Sequence, residues 1–454
     1  MSAPFDVAVL GAGPAGLAAA HAASRLGRRV VIIDRAPTVG GLAASFEVDG
    51  HRVDYGSHRL HRSTPPHLLA TLQKLLGDEL QLRIRNGRIR LDRRWLAFPL
   101  QPLDLVRNAP LTLTAGALVD TAVAPLRTRR EVPDTFSAQV RRGLGGTIAR
   151  RFYEPYAEKL WGTDPNELSG ELFRRRVSVS TGAGLVRRVL GGRDDAKRSF
   201  WYPRRGFGQI SEALADAAVT AGAQLQLGAE VHDIGEVLEL APRVICTLPA
   251  STAVSLYGDR APANVVNASQ SLTYRGAALV YLLLDSSRYS PFDAHYLPDP
   301  AVPVARVSEP KNYRDDVAAP RATTVLCAEV PTAVDGPLWN ASDADLAVVV
   351  ADALCRSAMP PLGHVAKVRV KRVPHVYPIY RLGFERSLAA VEEWASSRDE
   401  LLLVGRQALF AHDNTHHAMA MGDAAGSAID DDGGFDRAAW RVARDGFRNH
   451  IVED

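Results

Sequence analysis

The sequence predicts an α/β fold in which a Rossmann-like dinucleotide-binding domain is interleaved with an α+β second domain. Three observations predict it. An apolar strand pattern at Val7–Leu10 runs into Gly11-Ala12-Gly13-Pro14-Ala15-Gly16, then an Ala-rich helical pattern, then a second apolar strand ending on Asp34. Strand and helix patterns of the same kind return near residues 200–250 and 400–454. Between them lie a stretch that reads as mostly helical, from about 65 to 200, and a stretch of alternating apolar residues, from about 252 to 395.

Size and composition frame this reading. A chain of 454 residues exceeds what one hydrophobic core usually supports. Hydrophobic residues at 46% and charged residues at 23% suit a globular protein, and a net charge of +3 gives no reason to expect a nucleic-acid partner. Cys246, Cys327 and Cys355 are widely spaced and form no C-x-x-C pair, so they read as reduced, mostly buried thiols of a cytoplasmic protein. The N-terminus lacks the basic flank and cleavage site of a secretory signal. The apolar segment from Ala109 to Leu126, followed by Arg127, Arg129 and Arg130, is interrupted by Asp120 and several threonines. It reads as a packed helix; a membrane partner is not expected, with an in-plane surface contact as the other reading.

The glycine run can be justified position by position. Gly11 permits a tight turn, Gly13 lets the backbone approach a pyrophosphate, and Gly16 lets the helix pack on the strand. Pro14 and Ala15 open a helix whose first N–H groups and dipole favour phosphate. Asp34 stands where a carboxylate accepts hydrogen bonds from ribose hydroxyls. Arg35 then begins R-x-x-x-x-G-G, ending on Gly40-Gly41-Leu42, and Val53-Asp54-Tyr55-Gly56-Ser57-His58 follows.

On these residues the stretch from Val7 to His61 resembles the FAD-binding region of the superfamily of amine oxidases, protoporphyrinogen oxidases, phytoene desaturases and UDP-galactopyranose mutases. The resemblance implies FAD as cofactor and a Rossmann-like FAD-binding domain of the GR2 type, interleaved with an α+β substrate domain. The FAD-binding domain would take residues 1–64, 200–250 and 400–454, and the substrate domain 65–199 and 251–399. It also implies that Arg35, Gly41 and Leu42 run beside the diphosphate and ribitol, that Gly56, Ser57 and His58 lie near the flavin ring, and that Val231 meets adenine. Read alone, His58 is equally a packed loop histidine. The last unit, Leu401 to Gly405 and Arg406 and then a helix starting near Ala418, would bring backbone N–H groups around His417, Ala418 and Met419 to the flavin pyrimidine. A second glycine fingerprint with the right flanks does not occur, because Gly143-Leu144-Gly145-Gly146 lacks a preceding strand, so a resident NAD(P) domain is not expected.

The middle of the chain narrows the branch. Phe152-Tyr153-Glu154-Pro155-Tyr156-Ala157-Glu158-Lys159-Leu160-Trp161-Gly162 is similar to a segment of UDP-galactopyranose mutases and bacterial protoporphyrinogen-oxidase-like proteins. By that resemblance Arg175 and Arg306, the latter in Arg306-x-x-Glu309-x-Lys311, would clamp a phosphate or carboxylate, and Trp161 would supply a flat wall. Read without it, Arg175 and Arg306 are surface arginines and Trp161 is core. Two tyrosines of the mutases are absent: Val330 and His412 stand in their places, which argues against galactopyranose mutation. Leu279 stands where amine oxidases carry a lysine, which weakens amine oxidation. His412, His416 and His417 suggest acid–base residues or helix capping; no spacing typical of a metal site accompanies them, and none is expected. The function expected is an FAD-dependent oxidoreductase of a biosynthetic pathway, moving a hydride from a small anionic substrate to flavin N5. Among His58, His412 and His416 would be the proton acceptor. The alternative is a redox-neutral, mutase-like isomerase that needs reduced flavin.

Overall fold

Val7–Leu10, Val30–Asp34 and Val244–Cys246 consist of apolar, mostly β-branched residues with almost no exposed surface, the pattern of strands covered on both faces. In the computed structural model, which describes residues 3–98, 104, 107–127, 133–177, 199–315, 317–430 and 432–452, they lie at the centre of a five-stranded parallel sheet. Its order is Leu401–Leu403, Val244–Cys246, Val7–Leu10, Val30–Asp34 and Gln224–Leu227. The order reverses direction beside Val7–Leu10, and the crevice at the carboxyl ends of the strands is therefore where a dinucleotide binds in such a sheet.

The helix Pro14–Arg25 leaves the first strand through this crevice. Its residues are small, and nine of the twelve are buried. A Cβ on Gly16 would stand 1.9 Å from Gly11 O, so the helix rests directly on the turn that starts it. The helix Thr415–Ser427 crosses its other side just as closely: a Cβ on Gly422 would lie 1.9 Å from Ala15 O, and one on Gly426 would lie 2.2 Å from Ala19 O. The sequence reading started this helix near Ala418. The structure starts it at Thr415, with the Asn414 backbone N–H donating to His417 Nδ1.

The second domain is built on a mixed seven-stranded sheet ordered Val365–Pro378, Tyr274–Leu284, Thr324–Thr332, Arg306–Ser308, Ala294–Tyr296, Gly87–Leu91 and Arg94–Phe98. The last two strands stand inside the region 65–200, whose described residues are otherwise mostly helical, as read. Alternation in Leu80, Leu82 and Ile84, then Ile89 and Leu91, makes strands at Leu80–Ile84 and Gly87–Leu91. Asp92 and Arg93, both at positive φ, form the two-residue hairpin turn to Arg94–Phe98. Helices among the described residues of that region include Leu111–Arg127, while Arg129 and Arg130 lie outside the described residues. Among the described residues no helix is long and apolar enough to cross a membrane.

The hairpin Ser45–Val48 with His51–Asp54 joins the two domains. Asp54 is buried, and its carboxylate accepts from Ser45 Oγ at 2.6 Å, from Phe207 N–H at 2.9 Å and from the Tyr202 hydroxyl. Its carbonyl accepts from Tyr281 in the middle of the large sheet. One residue thus ties a strand of each domain to the loop that continues into Gly56 and His58.

The close helix crossing yields a contrast for measurement. Gly426→Ala places a methyl group against backbone and should lower stability by about 1–3 kcal/mol. Gly446→Ala, in the helix Arg437–Phe447 with nothing within 4 Å, should raise it by about 0.5–1 kcal/mol. Chemical denaturation of the two variants checks the difference in sign.

Candidate functional site

The cradle at the sheet crevice is made by backbone. Gly11, at φ +104°, has Thr247 Oγ1 only 2.2 Å from the position of a Cβ. Gly13 has φ −82° and no side-chain cap; a Cβ there would meet nothing closer than Gly41 Cα at 3.9 Å. The loop at Gly40–Gly41 is held over the turn by Gly40 N–H donating to Ala12 O at 2.8 Å, and Gly41 takes φ +52°. Leu42 follows in a short 3-10 turn, half-buried. Pro14 occupies the first helical turn, where the missing N–H costs nothing. Ala15 lies 2.7 Å from where a Cβ of Gly405 would be, so the loop after Leu401–Leu403 closes the other wall. A space open at Gly13 and shut at Gly11, Gly16 and Gly405 fits a diphosphate that needs close approach of the main chain.

Asp34 sits at the end of the second strand. Its Oδ2 accepts Ala12 N–H at 2.7 Å and its Oδ1 accepts Ala36 N–H at 2.8 Å, which fixes the glycine turn to the neighbouring strand. Val231 is half-buried in the loop that returns past Asp34, whose carbonyl accepts Ala229 N–H. Arg35 is exposed and faces Glu230 at 3.5 Å.

Between the domains a second set of side chains gathers. Trp161, 3% exposed, ends the helix Glu154–Trp161. Its ring stands 5.7 Å from His412 and 6.3 Å from Tyr377. Arg176 lies 5.8 Å over the same ring. Arg406 donates to Asp413 O and Val376 O at 2.8 and 2.7 Å, and among the described residues no carboxylate pairs with it. Burial and the charge of Arg176 push its pKa down. Buried polar atoms without a protein partner occur here, among them Trp161 Nε1, Arg406 Nε and His412 Nδ1. An interior normally satisfies such atoms, so their grouping marks a place for a polar ligand.

The structure separates the arginines named from sequence. Arg175 is spent on structure: it donates to Glu171 at 2.7 Å and to the carbonyls of Phe447 and His450. Its neighbour Arg176 faces Trp161 instead. Sequence held the signal, because Glu171 stands three and four residues before Arg174 and Arg175 on one helix and pairs with both. Arg306 forks onto Glu329, with Nε and Nη2 each 2.9 Å from a carboxylate oxygen, and also reaches Ser57 O at 3.3 Å. Ser57 N–H donates back to Glu329 at 2.9 Å. The Arg306–Glu329 pair therefore shapes the Gly56–His58 loop, and Leu279 lies against Gly56 where a Cβ would come within 3.8 Å of it.

The histidines divide as well. His58 donates from Nε2 to Tyr55 O at 2.9 Å and stacks on Phe207; burial pushes its pKa down. His412 donates from Nε2 to Pro378 O at 2.9 Å, which leaves Nδ1 as a lone pair. Burial, then the charges of Arg176 and Arg406, hold His412 well below the usual imidazole range. His416 contacts Ser63, His61 and His417 instead of the Trp161 cluster, and burial pushes it down to about 3. His417 is in the first turn of the helix, Ala418 N–H is already bonded to Asn414 O, and Met419 is 1% exposed in the core.

Two measurements follow from this geometry. Glu329→Gln leaves Arg306 buried without its counter-charge and should cost about 3–5 kcal/mol in a denaturant titration. Lys159, whose ammonium meets Leu297 O and Val304 O, is pushed by burial from 10.5 down to about 7. Between those values the unfolded chain holds a proton that the folded chain lacks, so stability rises with pH from about 7 toward 10. Lys159→Met should flatten that rise when unfolding is followed at pH 7, 8 and 9.

Residues 9–75 match the model of an NAD(P)-binding Rossmann-like domain. Half of the chain, 252 residues, is 28% identical to a phytoene dehydrogenase of Streptomyces griseus, and that stretch spans about half (49%) of the relative's length. Among solved structures, reduced UDP-galactopyranose mutase superposes with a TM-score of 0.78 at 20% identity, covering 94% of each chain. A protein of Exiguobacterium, provisionally assigned as a protoporphyrinogen oxidase, superposes with a TM-score of 0.68 at 18% identity over 93% of this chain and 98% of its own. The chain has the fold of the FAD-dependent superfamily that contains the amine oxidases, protoporphyrinogen oxidases and UDP-galactopyranose mutases.

Proposed function

We propose that this protein is an FAD-dependent oxidoreductase, acting in the cytoplasm on a small organic substrate that carries a phosphate or carboxylate. The observation that carries the reading is Arg406. A buried guanidinium beside Arg176, with only carbonyl oxygens as its hydrogen-bond partners among the described residues, favours an anion in the adjoining space. FAD, once bound, supplies a ring that accepts a hydride. The chain's own residues supply the rest. The glycine cradle holds the diphosphate by backbone N–H groups. Arg176 and Arg406 orient the anionic group of the substrate against Trp161. His412, neutral and with Nδ1 unprotonated, accepts the proton that leaves the substrate with the hydride. Binding of an anion between the arginines offsets the part of the His412 depression that their charges cause, and leaves the larger part that burial causes.

A redox-neutral isomerisation on reduced flavin is the second reading, favoured by the match along 94% of a UDP-galactopyranose mutase. Val330 and His412 in place of tyrosine hydroxyls weigh against it. Stopped-flow mixing with nucleotide sugars, carboxylates and tetrapyrroles separates the two. Stoichiometric bleaching of oxidised flavin is expected for the oxidoreductase. Turnover only after pre-reduction, without net electron flow, would establish the isomerase in its place.

The cradle gives a direct test of the cofactor. Gly13→Val meets no protein atom closer than van der Waals range at its Cβ and has an ordinary φ, so the fold should survive. Flavin occupancy, read from visible absorbance of the purified protein, should fall below about a tenth of the parent level, because the side chain enters the phosphate path. Equal flavin content in both proteins would place the cofactor elsewhere.

A further inference from the structure

The helix Leu111–Arg127 is inside out for a surface helix, which ordinarily turns its apolar residues inward and its charged residues to solvent. Its inward side is fixed by contacts. A Cβ on Gly116 would lie 2.7 Å from the Thr147 side chain, and one on Gly145 would lie 2.5 Å from Asp120 Cβ. Asp120, the one acid of the helix, is buried and accepts from Thr147 N–H at 2.6 Å. Leu113 packs on the cluster that contains Ile89, Leu91 and Leu96.

The outward side is apolar. Leu111, Leu118 and Val119 are 86%, 65% and 62% exposed. Ala115 and Ala122, also exposed, fill the spaces between them. At 3.6 residues per turn these five share about 100° of arc, opposite Asp120. Exposed apolar residues scattered singly need no explanation, but a continuous stripe of them marks a contact surface. The 17 residues of the helix make that stripe about 25 Å long.

Charge selects what covers it. From Leu105 to Arg130 the sequence carries four arginines, Arg107, Arg127, Arg129 and Arg130, against the single buried acid Asp120. Arg107 is exposed just before the helix, and Arg127 closes it. The same sign therefore stands at both ends of the stripe. A second copy laid along it, in either direction, brings arginine against arginine. An anionic lipid surface answers both ends at once: its acyl boundary takes the leucines and its headgroups meet the guanidiniums.

We propose that Leu111, Ala115, Leu118, Val119 and Ala122 form a face that lies in the plane of an anionic bilayer surface, held by the arginines at either end. The sequence reading left a packed helix and an in-plane contact side by side; the inward turn of Asp120 chooses the second. The inference does not rest on the flavin reading, because the glycine cradle and the Arg406 group are built from other residues.

The test is co-sedimentation of the full-length protein, as purified, with vesicles of phosphatidylcholine alone and of phosphatidylcholine mixed with phosphatidylglycerol. Binding is expected to the mixed vesicles, weakening as salt is added, and little to the zwitterionic ones. The double variant Leu111→Gln, Leu118→Gln should bind the mixed vesicles about tenfold or more weakly, the factor that burial of one leucine supplies. Its melting temperature should match the parent's, because both side chains are exposed. Val348→Gln and Val442→Gln, comparably exposed on the helices Asp343–Arg356 and Arg437–Phe447, should leave binding unchanged. Failure of the parent to bind mixed vesicles overturns the proposal. So does equal binding by the double variant, which would reduce the contact to the arginines. A dimer in solution that the double variant dissociates would assign the face to a second copy and overturn it equally.

Discussion

The arrangement depends on how closely one helix can be approached. Pro14–Arg25 carries Ala, Gly and Ser along most of its length, and it touches backbone on two sides, at Gly11 through Gly16 and at Gly422 and Gly426. Only hydrogen atoms fit in those contacts. The consequence is that the main chain at Gly11–Gly16, the loop at Gly40–Gly41 and the turn at Gly405 enclose one space with little side-chain lining. Such a space can bring N–H groups to a diphosphate, which a crevice lined by larger residues cannot do.

A different economy governs the region between the domains. Charges there are either locked to a carboxylate or left to meet something else. Arg306 is locked to Glu329, and that pair holds Ser57 by both its N–H and its carbonyl. Arg406 is hydrogen-bonded among the described residues to carbonyl oxygens, and its field reaches His412 together with that of Arg176. Burial first, and then those two guanidiniums, hold the imidazole neutral. The same region shows why Arg175 and Arg176 are not interchangeable: one step along a helix turns the side chain by about 100°, from the C-terminal segment to the Trp161 wall.

The parts of the molecule that could be read in the sequence were those governed by local rules. The glycine turn, the strands around it and Asp34 follow from spacing within a single strand–helix–strand unit, and the parallel sheet shows them in register. The hairpin at Gly87–Phe98 was equally local, announced by alternation and a turn of two residues at positive φ, yet flanking helices masked it. The site between the domains was less accessible. Whether an arginine faces a cavity or a carboxylate depends on partners far away in sequence: Glu329 for Arg306, and Phe447 and His450 for Arg175. Of the histidines, His412 and His416 differ only in which loop packs on them, Pro378 for one and Ser63 for the other.

The strand order has a bearing on how the protein is made. Leu401–Leu403 pairs with Val244–Cys246, which pairs with the Val7–Leu10 strand at the start of the chain, and the helix Thr415–Ser427 closes over Pro14–Arg25. Neither sheet is built from a continuous piece, and the parallel one stays incomplete until its last strand, Leu401–Leu403, has been synthesised. The first strand is translated early and has only Val30–Asp34 beside it until Val244–Cys246 has emerged, and that strand in turn stays an edge until Leu401–Leu403 follows. The crevice onto which the glycine turn opens is therefore completed late in synthesis, and until then the unfinished sheet presents an apolar strand edge.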